Sequence, residues 1–455
     1  MSSLKAVREA AIDGRMHNII TRRTQLEALQ RTLLDQADAI ETAICHDTGH
    51  AASEVAVEYL VTLRALKECH QSLDVKRALQ DEYAIARGED AASRWDPVGI
   101  VYIVPSDYTI FNVVLLPNTL RAIPVLIRNI LESSLDRNII ALVTSSATDE
   151  DLGPHHIRLR QDSERPGIVA AIVDRTADTT RAAEAIVAAR FGFGGRSPYA
   201  PDVVLVNEFV KDPFLTALLQ AAMAFRSKLS ALNSSAGATQ GSEATRFESG
   251  RRDEGIRLVS SVGRGAIFES LGQLSPVSLL ESKKAGCHLL VHTVRSLEHA
   301  IDQSNNIRNL GGAYMFAHPQ AAKYLSQFIA SPVSFANHIP VDVLVGPPAP
   351  THIAFNRSLR YPTSIFSLPR PQYISPTPLA QSMEEVLRDG SAMPLRKALA
   401  RQSTELVLTT SRPLGGGVGF FEKGILTGLG LFSASMLAAV CSLGYWAWIV
   451  MQHRS

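Results

Sequence analysis

Apolar residues recur at three- and four-residue spacing over 22–75: Leu26, Leu29, Leu33, Ala37, Ile40 and Ile44, with Gln, Arg and Asp between them. That period predicts amphipathic helix, continued in the same style over 54–66. The pattern then changes. Ile100–Val104 is a short unbroken apolar run ended by Pro105, and the runs at 125–127, 139–143 and 168–173 (IVAAIV) repeat it. Such runs, alternating with helical stretches, predict strands of a parallel α/β sheet buried on both faces. The segments 179–189 and 212–225 read as helices on either side of a strand at 202–206, and 191–195 is glycine-rich. Residues 226–265, rich in Ser, Gly, Arg and Glu, read as loop or partly disordered chain. A second α/β series follows: strand 288–292, helix 297–304, strand 312–317 and helix 319–329.

The C-terminal pattern is of another kind. No charged residue occurs over 424–451, with Lys423 before the run and His453 and Arg454 after it. About 20 apolar residues suffice to cross the hydrocarbon core, and Tyr445, Trp446 and Trp448 cluster at one end as interfacial anchors do. A single-pass tail anchor is expected, inserted after synthesis, with the body in the cytosol and the ER as the expected membrane. The stretch 412–417 (RPLGGG) reads as a hinge. The division expected is 1–165, 166–345, 346–423 and 424–451.

Charge and cysteines narrow the class. Lys+Arg number 45 against 44 Asp+Glu, so no global field favours nucleic acid. Cys45, Cys69, Cys287 and Cys441 are scattered, with no CxxC pair. They read as reduced thiols, with neither a disulfide framework nor a metal site.

The segment 172–178 (IVDRTAD) followed by 200–206 (APDVVLV) resembles the aldehyde dehydrogenase superfamily, whose strand ends in xVDxxAD and whose GQxC loop leads into APDxVLV. RRTQLEALQRTL, DPVGIVYIVPSDYTIFN, SPVSLLES, TVRSLEHAI and GGAYMFAHPQAAKYL resemble the fatty-aldehyde branch in order along the chain, as does an anchor after the 361–367 segment. NHIPVDVLVGPPAP with FSLPRPQ is similar to a set of fungal homologues, some of them natural-product tailoring proteins. The resemblance covers most of 20–375 thinly.

It implies a two-lobe α/β fold with NAD or NADP as cofactor, a homodimer or a heterodimer with a relative, and a lipophilic aldehyde oxidised at a membrane surface. The dinucleotide-binding lobe is expected to be truncated, because the interval between Arg128 and Glu164 is about one strand–helix unit short.

The same resemblance locates the chemistry. The family's nucleophilic cysteine falls on Pro198, which has neither a nucleophile nor a backbone N–H. Ser197 is adjacent, and its loop hydrogen bonding and catalysis are both open readings. Cys287 reads as a buried core residue or as a relocated nucleophile. Glu164 stands where the family's general base does, and an ion pair with Arg165 is the other reading. The oxyanion asparagine becomes Asp107, whose charge repels an oxyanion. Arg128 replaces the cofactor lysine, and Ser145 and Ser146 fall in the cofactor-phosphate loop. Two functions therefore stay open: NAD(P)-linked oxidation of a hydrophobic aldehyde, and a catalytically silent, membrane-tethered scaffold or partner-binding protein. A chain that has lost a strand–helix piece is the third.

Overall fold

The computed structural model describes residues 2–104, 122–143, 146–161, 167–230, 241–251, 254–262, 265–284, 286–350, 353–357, 359–389, 393–404 and 420–452. They fall into two units, Met1–Ala317 with Ile329–Thr377, and His318–Phe328 with Pro378–Ser455.

The first unit opens with five helices, α1 (Ser2–Ile12), α2 (Ile19–Asp35), α3 (Ala37–Thr48), α4 (Ala52–Gln71) and α5 (Val75–Tyr83). Short strands β1 (Trp95–Pro97) and β2 (Ile100–Val104) follow, then α6 (Ala122–Ser134), α7 (Asp149–Leu152) and β3 (His156–Arg160). The apolar stripe read from 22–75 closes on itself: Leu33, Ile40, Ile44, Val55 and Tyr59 form one cluster with Ile123, Ile127 and Ile130.

Those last three residues correct one expectation. The run 125–127 lies inside α6 and forms no strand. Its isoleucines recur at i, i+4 and i+7, a helical face, and the Asp47 carboxylate accepts the Ala122 and Ile123 N–H groups at 2.8 and 2.9 Å. That buried carboxylate satisfies donors that a helix start leaves open. The run 139–143 is not a strand either. β2 pairs in parallel with β3, Ile100 opposite His156, so a two-stranded sheet occupies this region.

The main sheet is built from the rest of the unit. Its chain order is β4 (Ile168–Val173), α8 (Thr179–Phe191), β5 (Val203–Asn207), α9 (Lys211–Ser230), α10 (Gly241–Ser249), β6 (Ile256–Val262), β7 (Gly265–Ser270), α11 (Pro276–Lys284), β8 (His288–Val294), α12 (Leu297–Asn306) and β9 (Leu310–Phe316). After α13 (Pro319–Phe328), which belongs to the second unit, come β10 (Ser334–Ala336), α14 (Val341–Leu344) and β11 (Ser367–Pro369). Seven strands lie in the order β10-β9-β4-β5-β8-β7-β6, parallel except for the β6–β7 hairpin. Every residue of β4 and β5 is buried, as expected of central parallel strands covered on both faces. Strand β11 returns to pair antiparallel with β1.

The loop expected over 226–265 holds the end of α9, all of α10 and the edge strand β6. An edge strand buries little: Ile256 and Val262 are inside, Arg257 and Ser261 outside, so its polar composition conceals it.

The second unit contains α13, α15 (Pro378–Arg388), α16 (Met393–Thr404) and α17 (Phe420–Gln452). Helix α17 covers the expected span; its stretch Glu422–Trp446 is 25 residues long, and 18 consecutive residues within it have mean hydropathy 1.8 with none of them buried. It is long and apolar enough to cross a membrane. The expected hinge at 412–417 lies outside the described residues.

Candidate functional site

The loop between α8 and β5 is where the resemblance locates the chemistry, and three charges hold it. Arg190, at the end of α8, is fully buried, and its guanidinium reaches the Asp202 carboxylate at 2.8 Å. The same guanidinium donates to the His288 and Ser282 carbonyls at 2.7 and 3.2 Å. Asp202 accepts the Val169 N–H at 2.9 Å and the Lys283 ammonium at 2.8 Å. Lys283, from α11, also donates to the Pro198 carbonyl at 3.1 Å. Burial pulls the Lys283 amine below the ordinary lysine range, against the attraction of Asp202. Such an arrangement is tolerable only because each charge is paired and hydrogen-bonded.

Pro198 lies inside this frame. It is buried, and a turn closes around it from the Ala200 N–H to the Ser197 carbonyl at 3.2 Å. Proline presets φ for the second position of such a turn. Ser197 is buried, and its hydroxyl accepts the Tyr199 N–H at 3.3 Å. The next residue is locked as well: the Tyr199 carbonyl accepts the Tyr314 hydroxyl at 2.8 Å, and the Tyr199 hydroxyl accepts the Ala349 N–H at 2.9 Å. Arg360 stacks over the Tyr199 and Phe355 rings, 5.0 and 4.7 Å from their centroids. Burial raises the Tyr314 phenol above its ordinary value.

The glycine-rich turn before Pro198 is pressed from two sides. Phe193, Gly194 and Gly195 all have positive φ, a conformation costly for residues with a Cβ. A Cβ at Gly195 would lie 2.8 Å from the Cys287 Sγ and 2.7 Å from its backbone nitrogen. Cys287 is therefore packed directly against this turn, buried in the main core cluster. On the other side Glu54 of α4 accepts the Phe193 N–H at 3.0 Å. His50 edges onto the Phe193 ring, and its Nδ1 meets the Glu58 carboxylate at 3.0 Å. Burial raises the Glu58 pKa, which His50 partly opposes.

Of the residues singled out from sequence, Ser197, Pro198 and Cys287 come together at this loop. Arg128 is half-buried on α6, where the strand expected around it is replaced by helix, and Ser146 is exposed before α7. Ser145, Glu164 and Asp107 lie outside the described residues. An arginine and a hydroxyl have donors suited to a nucleotide's phosphate and ribose oxygens. Among the described residues no group of His, Cys, Asp and Glu is arranged to hold a metal ion. Sequence reasoning missed Arg190, Lys283, Tyr199, Tyr314 and Arg360. A cation inside the apolar run IVAARF was the only signal for Arg190, and Lys283 had none.

No protein-family model and no curated protein matches the chain. Solved structures do. Aldehyde dehydrogenase KauB from Pseudomonas aeruginosa is 14% identical with a TM-score of 0.61, over 82% of this chain and 88% of that one. A 1-pyrroline-5-carboxylate dehydrogenase from Thermus, with bound NAD, is 14% identical with a TM-score of 0.59, over 81% and 84%. Glyceraldehyde-3-phosphate dehydrogenase GapN from Methanocaldococcus jannaschii, complexed with NADP, is 14% identical with a TM-score of 0.54, over 74% and 85%. At these identities the likeness speaks to architecture: the chain has the α/β fold of the aldehyde dehydrogenases, followed by an apolar C-terminal helix.

Proposed function

We propose that the chain is a membrane-tethered protein of aldehyde-dehydrogenase fold that binds a lipophilic aldehyde or a partner chain without turning aldehyde over. Pro198 carries the reading. Aldehyde oxidation in this fold starts with a thiolate attacking the carbonyl carbon, and a buried prolyl ring offers no lone pair. Its carbonyl is committed to Lys283, and the neighbouring Ser197 hydroxyl is committed to a backbone N–H. Helix α17 supports the tether, with the body on the cytosolic side of the ER as the favoured setting. A homodimer or a heterodimer with an active relative is the partner arrangement this reading favours. NAD or NADP would supply a hydride acceptor when bound, and Arg128, Ser145 and Ser146 are the residues that would hold it.

One observation favours a second reading, NAD(P)-linked oxidation of a hydrophobic aldehyde, including as a tailoring step of fungal secondary metabolism. The Cys287 thiol packs against the turn that leads into Pro198. As a relocated nucleophile it would need Glu164 as base for thioester hydrolysis.

The test uses the full chain in detergent with NAD or NADP and a long-chain aldehyde. The expected result is thermal stabilisation by the nucleotide, with no formation of reduced nicotinamide above the rate without protein. Turnover abolished by both Cys287→Ser and Glu164→Gln would reject the silent reading in favour of the second.

A further inference from the structure

Helices α15 and α16 present surfaces that neither the fold nor the candidate site uses. They lie in the same unit as α17 and contact each other. On α15, Leu379, Met383 and Leu387 recur every four residues, so they share one helical face. All three are exposed, Leu387 at 85%. Glu384, Glu385 and Arg388 occupy the other side of that helix, and Arg388 pairs with Glu384 at 3.6 Å. On α16 the leucines Leu395 and Leu399 are half-buried, whereas Arg396, Lys397 and Arg401 are exposed. The helix MPLRKALARQST contains no carboxylate.

An apolar stripe beside a purely basic helix is the pattern of a surface lying in the headgroup region of an anionic bilayer. Chain length agrees. Fifteen residues, 405–419, separate α16 from α17, and a chain of that length reaches at most about 54 Å. A membrane entered by α17 is thus within reach of the pair.

We propose that α15 and α16 dock on the surface of the bilayer that α17 enters, with Leu379, Met383 and Leu387 in the acyl–headgroup boundary and Arg396, Lys397 and Arg401 on anionic headgroups. This rests on the reading of α17 as a membrane span.

The experiment uses the full chain reconstituted into vesicles of phosphatidylcholine, with or without about 30 mol% phosphatidylserine. Alkaline carbonate extraction reports the span, and hydrogen–deuterium exchange over 378–404 reports docking. The expected result is a chain that resists extraction and whose 378–404 amides exchange about tenfold more slowly with phosphatidylserine present. The variants Arg396→Glu/Lys397→Glu/Arg401→Glu and Leu379→Asp/Met383→Asp/Leu387→Asp are each expected to lose that slowing while remaining membrane-inserted. Release by carbonate removes the span reading and this inference with it. A chain that stays inserted while 378–404 exchanges equally fast in both vesicle types overturns docking alone. So does protection that rises with protein concentration and ignores phosphatidylserine, because a second copy of the chain then covers the stripe.

Discussion

His288 stands between the Phe247 and Phe268 rings, at 5.1 and 5.0 Å, with its Nδ1 buried and without a partner among the described residues. Burial lowers its pKa from 6.5 to about 4. Above pH 6.5 the ring is neutral in both folded and unfolded chains and contributes no pH dependence. Between 6.5 and 4 the unfolded chain takes up a proton that the folded chain refuses, so stability falls as pH falls, by about 3 kcal/mol in all. His288→Phe keeps an aromatic ring in the slot and removes the titration. Melting temperature followed over that range should slope for the parent and lie nearly flat for the variant; equal slopes would assign the acid sensitivity elsewhere. Lys283 makes a different prediction. Lys283→Met strips the donor from the Pro198 carbonyl and one cation from Asp202, at a cost of about 3 kcal/mol. Urea denaturation measures it, and a loss under about 1 kcal/mol would mean that the pair is effectively solvated. Neither residue was legible in the sequence as part of the site. Arg190 and Asp202 are 12 positions apart and Lys283 a further 81, and only the packing of α8, β5 and α11 brings them to one point. Pro198 is singled out from the sequence because it interrupts a local motif, which needs no tertiary knowledge to see.

At the scale of elements, burial decides what could be read. Strands β4, β5, β8 and β9 are central and parallel, so their residues are apolar almost throughout and declare themselves. Helices α2 to α4 have one wet face, and the period shows. The misread elements lie between these cases. Over 125–127 the β-branched and apolar residues suggested a strand, yet the decisive contacts are Ile123, Ile127 and Ile130 against α2, α3 and α4. The short β3, HIRLR, alternates over only five residues with two apolar side chains, too short a run to stand out, and its pairing with β2 is nonlocal. Asp47 is what starts α6, and it tests that account. Asp47→Ala leaves two N–H groups of the first turn without an acceptor, which should cost about 1 to 2 kcal/mol. Thermal unfolding gives the value, and Asp47→Asn, which keeps an acceptor oxygen, should recover at least half of it. Identical losses for both variants would mean that the carboxylate's charge matters more than the hydrogen bonds.

The whole molecule combines a body whose central strands are sealed on both faces with a helix whose stretch Glu422–Trp446 is exposed throughout. Helix α17 exposes Leu429, Leu431, Phe432, Leu437, Val440 and Leu443, each more than half accessible. An apolar surface of that size is not stable in water, so it must be covered by lipid or by protein. The two coverings respond oppositely to charge. The stretch Glu422–Trp446 has 25 residues, about 37 Å of helix, against a hydrocarbon core of about 30 Å. A cation near its centre is therefore deep in lipid, and Leu431→Arg with Leu437→Arg should add about 5 to 7 kcal/mol to insertion. If lipid is the cover, the double variant leaves the carbonate-resistant membrane fraction, while the thermal transition of the body stays where it was, because among the described residues no core cluster includes one from α17. If protein is the cover, the arginines instead lower the body's own transition, and the membrane fraction does not change. Measuring both quantities on one preparation separates the cases. The first outcome makes the tether a property of this helix alone, independent of whether Pro198 or Cys287 decides the chemistry at the loop.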